Sequence, residues 1–208
     1  IDKMNIASPW KSDMQASRYL ATKIMDIIPQ VVPAVMEGMS FLKELARIGA
    51  QAGHPLSWEL PTGLHPQNKY MKTKLRKIKT RLDGKYSVSY LQEPTQTLSP
   101  RRQTQTLPAN FTHSYDACLL MHTVATLDSQ VDSFSMIHDS YGTHAEDLPK
   151  LSSQVRESAK EIFAPNNILT KVRYSLVEAI GSDEGIPLAP TNGKLDLDNL
   201  KTSSYFFH

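Results

Sequence analysis

The sequence predicts a mixed α/β fold of the α+β kind, and three patterns predict it. Leu20, Ile24, Ile27, Val31, Val35, Met39, Leu42 and Leu45 recur at the three- and four-residue spacing of a helix. Around Asp83-Gly84, Ile78, Thr80 and Leu82 alternate with Lys77, Lys79 and Arg81, and Tyr86, Val88 and Tyr90 alternate with Lys85, Ser87 and Ser89, which is the period of a hairpin. A short strand-turn-strand pattern over Phe134 to His144 is followed by two more helical stripes.

The first stripe has two candidate starts: Ser8 before Pro9, or a capping box formed by Ser12 and Gln15. It is read as a buried core helix that Pro29 and Pro33 kink or split and that ends near Gly49 or Gly53. His54 to Gln67 is rich in proline and glycine and reads as loop, with Trp58 and Leu60 in a short extended piece. In the hairpin, Asp83-Gly84 supplies the positive φ angles of a type I′ turn, and one register would place the apolar set on one face and the basic set on the other. The helical spacing of Met71, Leu75, Ile78 and Leu82 is the competing reading.

Thr95 to Pro108, polar and proline-bounded, is expected to be an exposed loop carrying Arg101 and Arg102. Leu120, Val124 and Leu127 place a helix over roughly Tyr115 to Ser129. Phe134, Met136 and Ile137 predict a strand, and Tyr141 to His144 a returning one. Leu148, Leu151, Val155, Ala159 and Ile162 keep helical period; Ile168, Val172, Leu176 and Ile180 repeat it until Gly181 stops the helix. The aromatic end, Tyr205 to Phe207, is expected to dock. No repeat of solenoid length is present.

At 208 residues, with 40% apolar and 21% charged residues, the chain can bury a substantial core. Its 23 basic and 21 acidic residues leave a net charge of only +2, so any nucleic-acid contact must come from local clusters. The single cysteine, Cys118, excludes an internal disulfide and a thiolate zinc site, and points to a reducing, cytosolic setting. The most apolar region, Ile24 to Val35, is broken by Asp26, Pro29, Gln30 and Pro33, short of the roughly 20 apolar residues that span a bilayer. No membrane contact is expected.

The chemistry centres on "FSMIHDSYGTHAEDL". A strand, a tight turn and a returning strand present Asp139 at an exposed tip, where a hard divalent cation such as Mg2+ binds through one or two carboxylates. An aspartate in a turn is by itself more often a turn-former than a ligand. His113, His122, His138 and His144 match no zinc spacing, and the chain has no glycine-rich phosphate loop and no GxSxG elbow.

"PANFTHSYDACLLMHTV" followed by "FSMIHDSYGTHAEDL" resembles the C-terminal palm region of single-subunit DNA-dependent RNA polymerases of the bacteriophage and mitochondrial type. In that family the first motif reads roughly PNFxHSxDxxH, and the second is His-Asp-Ser followed by an aromatic residue and often Gly-Thr. Ala109 and Leu120 depart from the first. Gly142 and the aromatic end after "LDLDNL" are closer to the phage branch.

The resemblance implies part of a right-hand polymerase, palm and fingers, with a catalytic hairpin flanked by helices. It makes Asp139 a catalytic Mg2+ ligand, His138 its neighbour in the active-site hairpin, and His113 a minor-groove contact, with Ser114 and Asp116 supporting it. A histidine donor there reaches acceptors that every base pair presents. The basic run Lys69, Lys72, Lys74, Arg76, Lys77, Lys79, Arg81 and Lys85 would hold phosphates, a solvated basic face being the plainer alternative. The expected division is a helical segment over 1–55, the basic hairpin region and loop over 56–106, and the palm with its tail over 107–208.

The family also needs a second metal-binding aspartate and a fingers helix bearing lysine and tyrosine, and neither has a match here; Asp128, Asp132, Glu146 and Asp147 stand in surroundings that do not recommend them. The chain is therefore expected to act on template DNA, nascent RNA and NTPs only with a second polymerase chain, or as a fragment of a longer one, the latter slightly favoured by the absent initiator methionine. The expected place is the cytoplasm of a bacterial host, or a virion, before a mitochondrion. Two rivals remain: the palm of a related DNA polymerase, where the step usually reads His-Asp-Glu and Ser140 argues against it, and a non-catalytic nucleic-acid-binding subunit of the same fold.

Overall fold

The computed structural model describes residues 12–127, 131–165, 167–204 and 206, leaving out the side chain of residue 82. The Ser8-Pro9 cap, Asp128, Tyr205, Phe207 and His208 lie outside the described residues. Two compact units appear, Ile1–Ser40 and Phe41–His208.

In the first unit, helix α1 runs Asp13–Val31, and the Ser12 hydroxyl accepts the Gln15 N–H at its start. Of the two starts that the sequence offers, this is the later one. Val32, ahead of Pro33, takes φ −129° and ψ 61°, because the proline ring disfavours the helical region for its predecessor. The stripe therefore splits, and α2 runs Pro33–Ala52 with Pro33 at its first position, where the missing N–H is harmless. Pro29, by contrast, is accommodated inside α1.

The expected buried stripe holds only at its far end. Phe41, Leu42, Leu45 and Ala46 of α2 are buried, whereas Leu20, Ile24, Ile27, Val31 and Val35 are about half exposed or more. Ala16 is the buried residue of α1. Periodicity reports that a face is apolar; it does not report that the partner covering it lies in the same chain.

In the second unit, β1 (Leu56–Ser57) pairs antiparallel with β2 (Gln67–Asn68). A long ribbon follows, β3 (Met71–Leu82) and β4 (Lys85–Leu98), antiparallel with Leu82 opposite Lys85. Asp83 and Gly84 both have positive φ, 49° and 77°, as a type I′ turn requires. The hairpin reading wins over the helical one. Its register, however, sets Lys77 opposite Tyr90, Lys79 opposite Val88 and Arg81 opposite Tyr86, so the expected separation of apolar and basic faces fails. Directly opposed residues share a face, and a two-residue loop fixes which residues are opposed.

Helix α3 runs Pro100–Leu127. The loop expected over Thr95 to Pro108 is thus the end of β4 and the first turns of α3. Gln103, Leu107, Phe111, Tyr115 and Cys118 are buried along one face. The polar Gln103 and the proline at 108 hide the beginning of that stripe. Strands β5 (Phe134–Ile137) and β6 (Ser140–Thr143) form a second hairpin. Helices α4 (Leu148–Phe163) and α5 (Ile168–Ile180) complete the unit, α5 ending on Gly181 at φ 78°.

One core joins Leu45, Leu56, Trp58, Leu107, Phe111, Ile162, Val172 and Leu176; a second, of Leu127, Val131, Leu151 and Val155, carries Phe134, Tyr141 and Phe206 against it and so seats the β5-β6 hairpin. Gly49 of α2 lies where a Cβ would come 2.7 Å from the His54 carbonyl oxygen, and the His54 N–H donates to the Gly49 carbonyl at 2.8 Å. In an open helix Gly→Ala adds roughly 0.5–1 kcal/mol. Here Gly49→Ala is expected to destabilise by about 1–3 kcal/mol, read as a lower urea midpoint.

Candidate active site

His138 and Asp139 are the two loop residues between Ile137 and Ser140, which pair directly. Of the two only His138 has positive φ, 55°, the pattern of a type II′ turn, whose first central position glycine usually fills. Both side chains are exposed. Phe134 at the hairpin's open end and Tyr141, one residue beyond Ser140, are held by the second core, so the hairpin is anchored along its length below the polar tip. Histidine in the left-handed region costs about 1 kcal/mol. His138→Gly is accordingly expected to raise the unfolding free energy by up to about 1 kcal/mol while removing the imidazole, which paired denaturation and activity measurements would separate.

His113, Ser114 and Asp116 lie on α3. His113 and Asp116 are exposed, but the Ser114 hydroxyl is engaged within the protein. It accepts the Trp58 indole N–H at 2.9 Å and donates to the Phe111 carbonyl at 2.7 Å, tying the loop after β1 to this helix. Phe111 stands edge-on to Trp58, with ring centroids 5.4 Å apart, and 5.0 Å from Tyr115. Burial raises the Tyr115 phenol to about 12.

The two acidic candidates converge on Tyr141. Its phenol is pushed up first by burial and then by the negative charges of Asp116 and Asp139. Helix α3 and the turn of the second hairpin thus each hold a carboxylate within electrostatic reach of Tyr141, which sequence spacing alone did not reveal. No group of three or more His, Cys, Asp or Glu side chains with metal-binding spacing occurs among the described residues.

Lys72, Lys74, Lys77, Lys79 and Arg81 all lie on β3, about one residue every 3.3 Å along an exposed ribbon. The register divides them. Lys74 and Arg76 approach Glu93 at 4.0 and 3.0 Å. Lys77, Lys79 and Arg81 share the other face with Tyr86, Val88 and Tyr90, and the Arg81 guanidinium stands 5.5 Å from the centre of the Tyr86 ring. Lys72 and Lys69 line a cleft of about 540 Å3 at the ribbon's root, together with Gln51, Met71 and Gln96. His122, a candidate without a zinc spacing, contacts Ser158 at 3.1 Å and Glu161 at 3.2 Å, joining α3 to α4.

The DNA-dependent RNA polymerase family model matches residues 2–184. The chain belongs to that family. Among curated relatives, the mitochondrial DNA-directed RNA polymerase 1 of Nicotiana sylvestris is 32% identical over 196 residues, which is 93% of this chain and 19% of that protein. The DNA-directed RNA polymerase of Pseudomonas phage phiKMV is 29% identical over 190 residues, 91% of this chain and 22% of that protein. DNA-directed RNA polymerase 1A of Nicotiana tabacum is 33% identical over 162 residues, covering 76% of this chain and 99% of that protein. The chain spans about a fifth of the length of the mitochondrial and phage relatives. Its kin are thus both organellar and phage enzymes, the two kinds to which the motifs around His113 and Asp139 point.

No described helix of the chain is long and apolar enough to cross a membrane. Asn68 and Gln103, which sequence reasoning passed over, are part of the framework around the site. Asn68 stands in a loop-like stretch and Gln103 in an expected loop, so neither carried a periodic signal.

Proposed function

We propose that this chain is the C-terminal catalytic portion of a DNA-dependent RNA polymerase, which extends the 3′ end of an RNA by nucleotidyl transfer from NTPs on a DNA template. The observation that carries the reading is the exposed Asp139 at the tip of an anchored two-residue turn, in a chain whose relatives are named RNA polymerases. Mg2+ fits such a carboxylate, since it retains several waters and takes only one or two protein oxygens. When bound, a pair of such ions would activate the attacking 3′ hydroxyl and stabilise the leaving pyrophosphate. The second protein ligand for that pair comes from outside the residues described.

This chain's own residues hold charge and geometry in place. Asp139 supplies a fixed carboxylate, and His138 closes the turn that carries it. His113 offers a donor to the minor-groove edge near the growing end, where acceptors are common to all base pairs. Trp58 and Ser114 fix the helix on which His113 and Asp116 stand. Lys72, Lys74, Lys77, Lys79 and Arg81 bind phosphates, and each contact should steepen the salt dependence of binding by about 0.9 in the log-log slope.

The activity requires a second polymerase segment, carried on a partner chain or on the same polypeptide, that contributes the other aspartate and the fingers helix. The exposed apolar residues Leu20, Ile24, Met25, Ile27 and Val31 of α1 favour this, because so long an apolar row is normally covered. A phage origin would place the enzyme in the cytoplasm of a bacterial host. The test is nucleotide choice by the complete enzyme on a DNA template. Extension with ribonucleotides is expected, and exclusive use of deoxyribonucleotides would overturn the assignment in favour of a DNA polymerase palm.

A further inference from the structure

The root of the basic ribbon is fastened to α3 by one buried carboxamide. Asn68, 1% exposed, is the last residue of β2 and stands three positions before β3. Its Nδ2 donates to the Gln103 side-chain oxygen at 2.8 Å and to the Gln103 carbonyl at 3.2 Å. Its Oδ1 accepts from the Thr106 hydroxyl at 3.1 Å and from Asn110 Nδ2 at 2.8 Å. Both ends of the amide are therefore used, and every partner lies on α3.

The neighbouring residue closes the same joint. Asn110 Nδ2 also reaches the Tyr70 hydroxyl at 3.1 Å, and the Tyr70 carbonyl accepts the Ser99 N–H at 2.9 Å. Gln103, itself 1% exposed, stands at the level where the ribbon leaves the core. Asn110 lies one helical turn before His113 on the same helix. The joint thus connects the strand bearing Lys77 and Lys79 to the helix bearing His113.

Burying amide groups such as those of Asn68 and Gln103 costs free energy unless they are satisfied, and a merely structural joint could be apolar. A hydrogen-bonded joint differs in being directional: it fixes the angle of departure as well as the contact. We propose that Asn68 is a positioning residue that sets the ribbon's orientation relative to α3, so that the ribbon's cations and His113 engage one nucleic-acid duplex as a single rigid gauge. This rests on the reading of the ribbon as a nucleic-acid contact.

The test uses the complete polymerase and a fluorescently labelled duplex DNA, and compares dissociation constants for wild type, Asn68→Leu, Lys77→Ala/Lys79→Ala and the triple variant. Lys79 lies about 25 Å along the strand from Met71, far beyond the range at which unlinked substitutions interact. If Asn68 acts through the ribbon, Asn68→Leu and the lysine pair each weaken binding roughly tenfold, and the triple variant binds within about twofold of Asn68→Leu alone. If the effects multiply, Asn68 is only a stabilising residue and the proposal fails. If the lysine pair has no effect, the ribbon reading itself fails and takes the proposal with it. Should Asn68→Leu not fold, Gln103→Met removes one acceptor and keeps the other three bonds, and the same non-additivity is expected on a smaller scale.

Discussion

Asp139→Asn in the complete polymerase should reduce nucleotide addition by at least about a thousandfold, while template binding stays within about twofold of wild type. Asparagine keeps the size of the side chain and suits a turn as well as aspartate does, so the β5-β6 hairpin should persist. What disappears is one negative charge at an exposed tip, the feature that a divalent cation needs and a structural turn residue does not. The cations of β3 and His113, proposed to hold the template, are untouched, which is why affinity should hold. Single-turnover extension of a preassembled primer-template, alongside a binding titration, measures both numbers. An equal fall in both would indicate a folding defect, and no fall in either would remove Asp139 from the chemistry.

The second large effect concerns the core behind the site. Phe111→Ala should lower the unfolding free energy by about 3–5 kcal/mol, since the ring is buried and packs between Trp58 and Tyr115. Against a total of about 5–15 kcal/mol, this is a large fraction, and the melting temperature should fall by about 10 °C. The same substitution loosens Trp58, whose indole holds Ser114 one turn along α3. Extension should therefore decline at temperatures where wild type is still active, and recover on cooling. An unchanged urea midpoint would mean that this aromatic row is not a core element.

Much of this is written in local chemistry. Asp83-Gly84 and the His138-Asp139 step each sit where alternating residues reverse, and both are two-residue turns. Gly181 ends α5 in the left-handed conformation that a β-carbon penalises. The palm motifs also pointed to the right family before any three-dimensional contact was known. Three features were not legible, for three physical reasons. The start of α3 is disguised because its first buried residue, Gln103, is polar and satisfied by a long-range partner. The faces of the basic ribbon depend on a register that the turn sets, so alternation in each strand could not say which residues would share a side. The apolar row on α1 identifies a contact surface without identifying what covers it.

The candidate site divides along the same line. Asp139 and His138 were singled out by the resemblance of their motif, since an aspartate in a turn is by itself more often a turn-former than a ligand. The convergence of Asp116 with Asp139 on Tyr141 depends on how α3 packs behind the hairpin, and that packing is settled by residues such as Leu127, Leu151 and Val155. The carboxamide joint at Asn68 is the least predictable element, since each of its bonds crosses more than thirty positions of sequence.

The central claim is that Asp139 holds a divalent ion during RNA synthesis. Replacing Mg2+ by Fe2+ in the complete enzyme and generating hydroxyl radicals at the bound iron tests it directly, because the polypeptide is cut only close to the ion. Cleavage between Ile137 and Tyr141, lost on adding excess Mg2+ and absent from Asp139→Asn, is the predicted result. Cleavage confined to other segments of an enzyme that still extends RNA would contradict it.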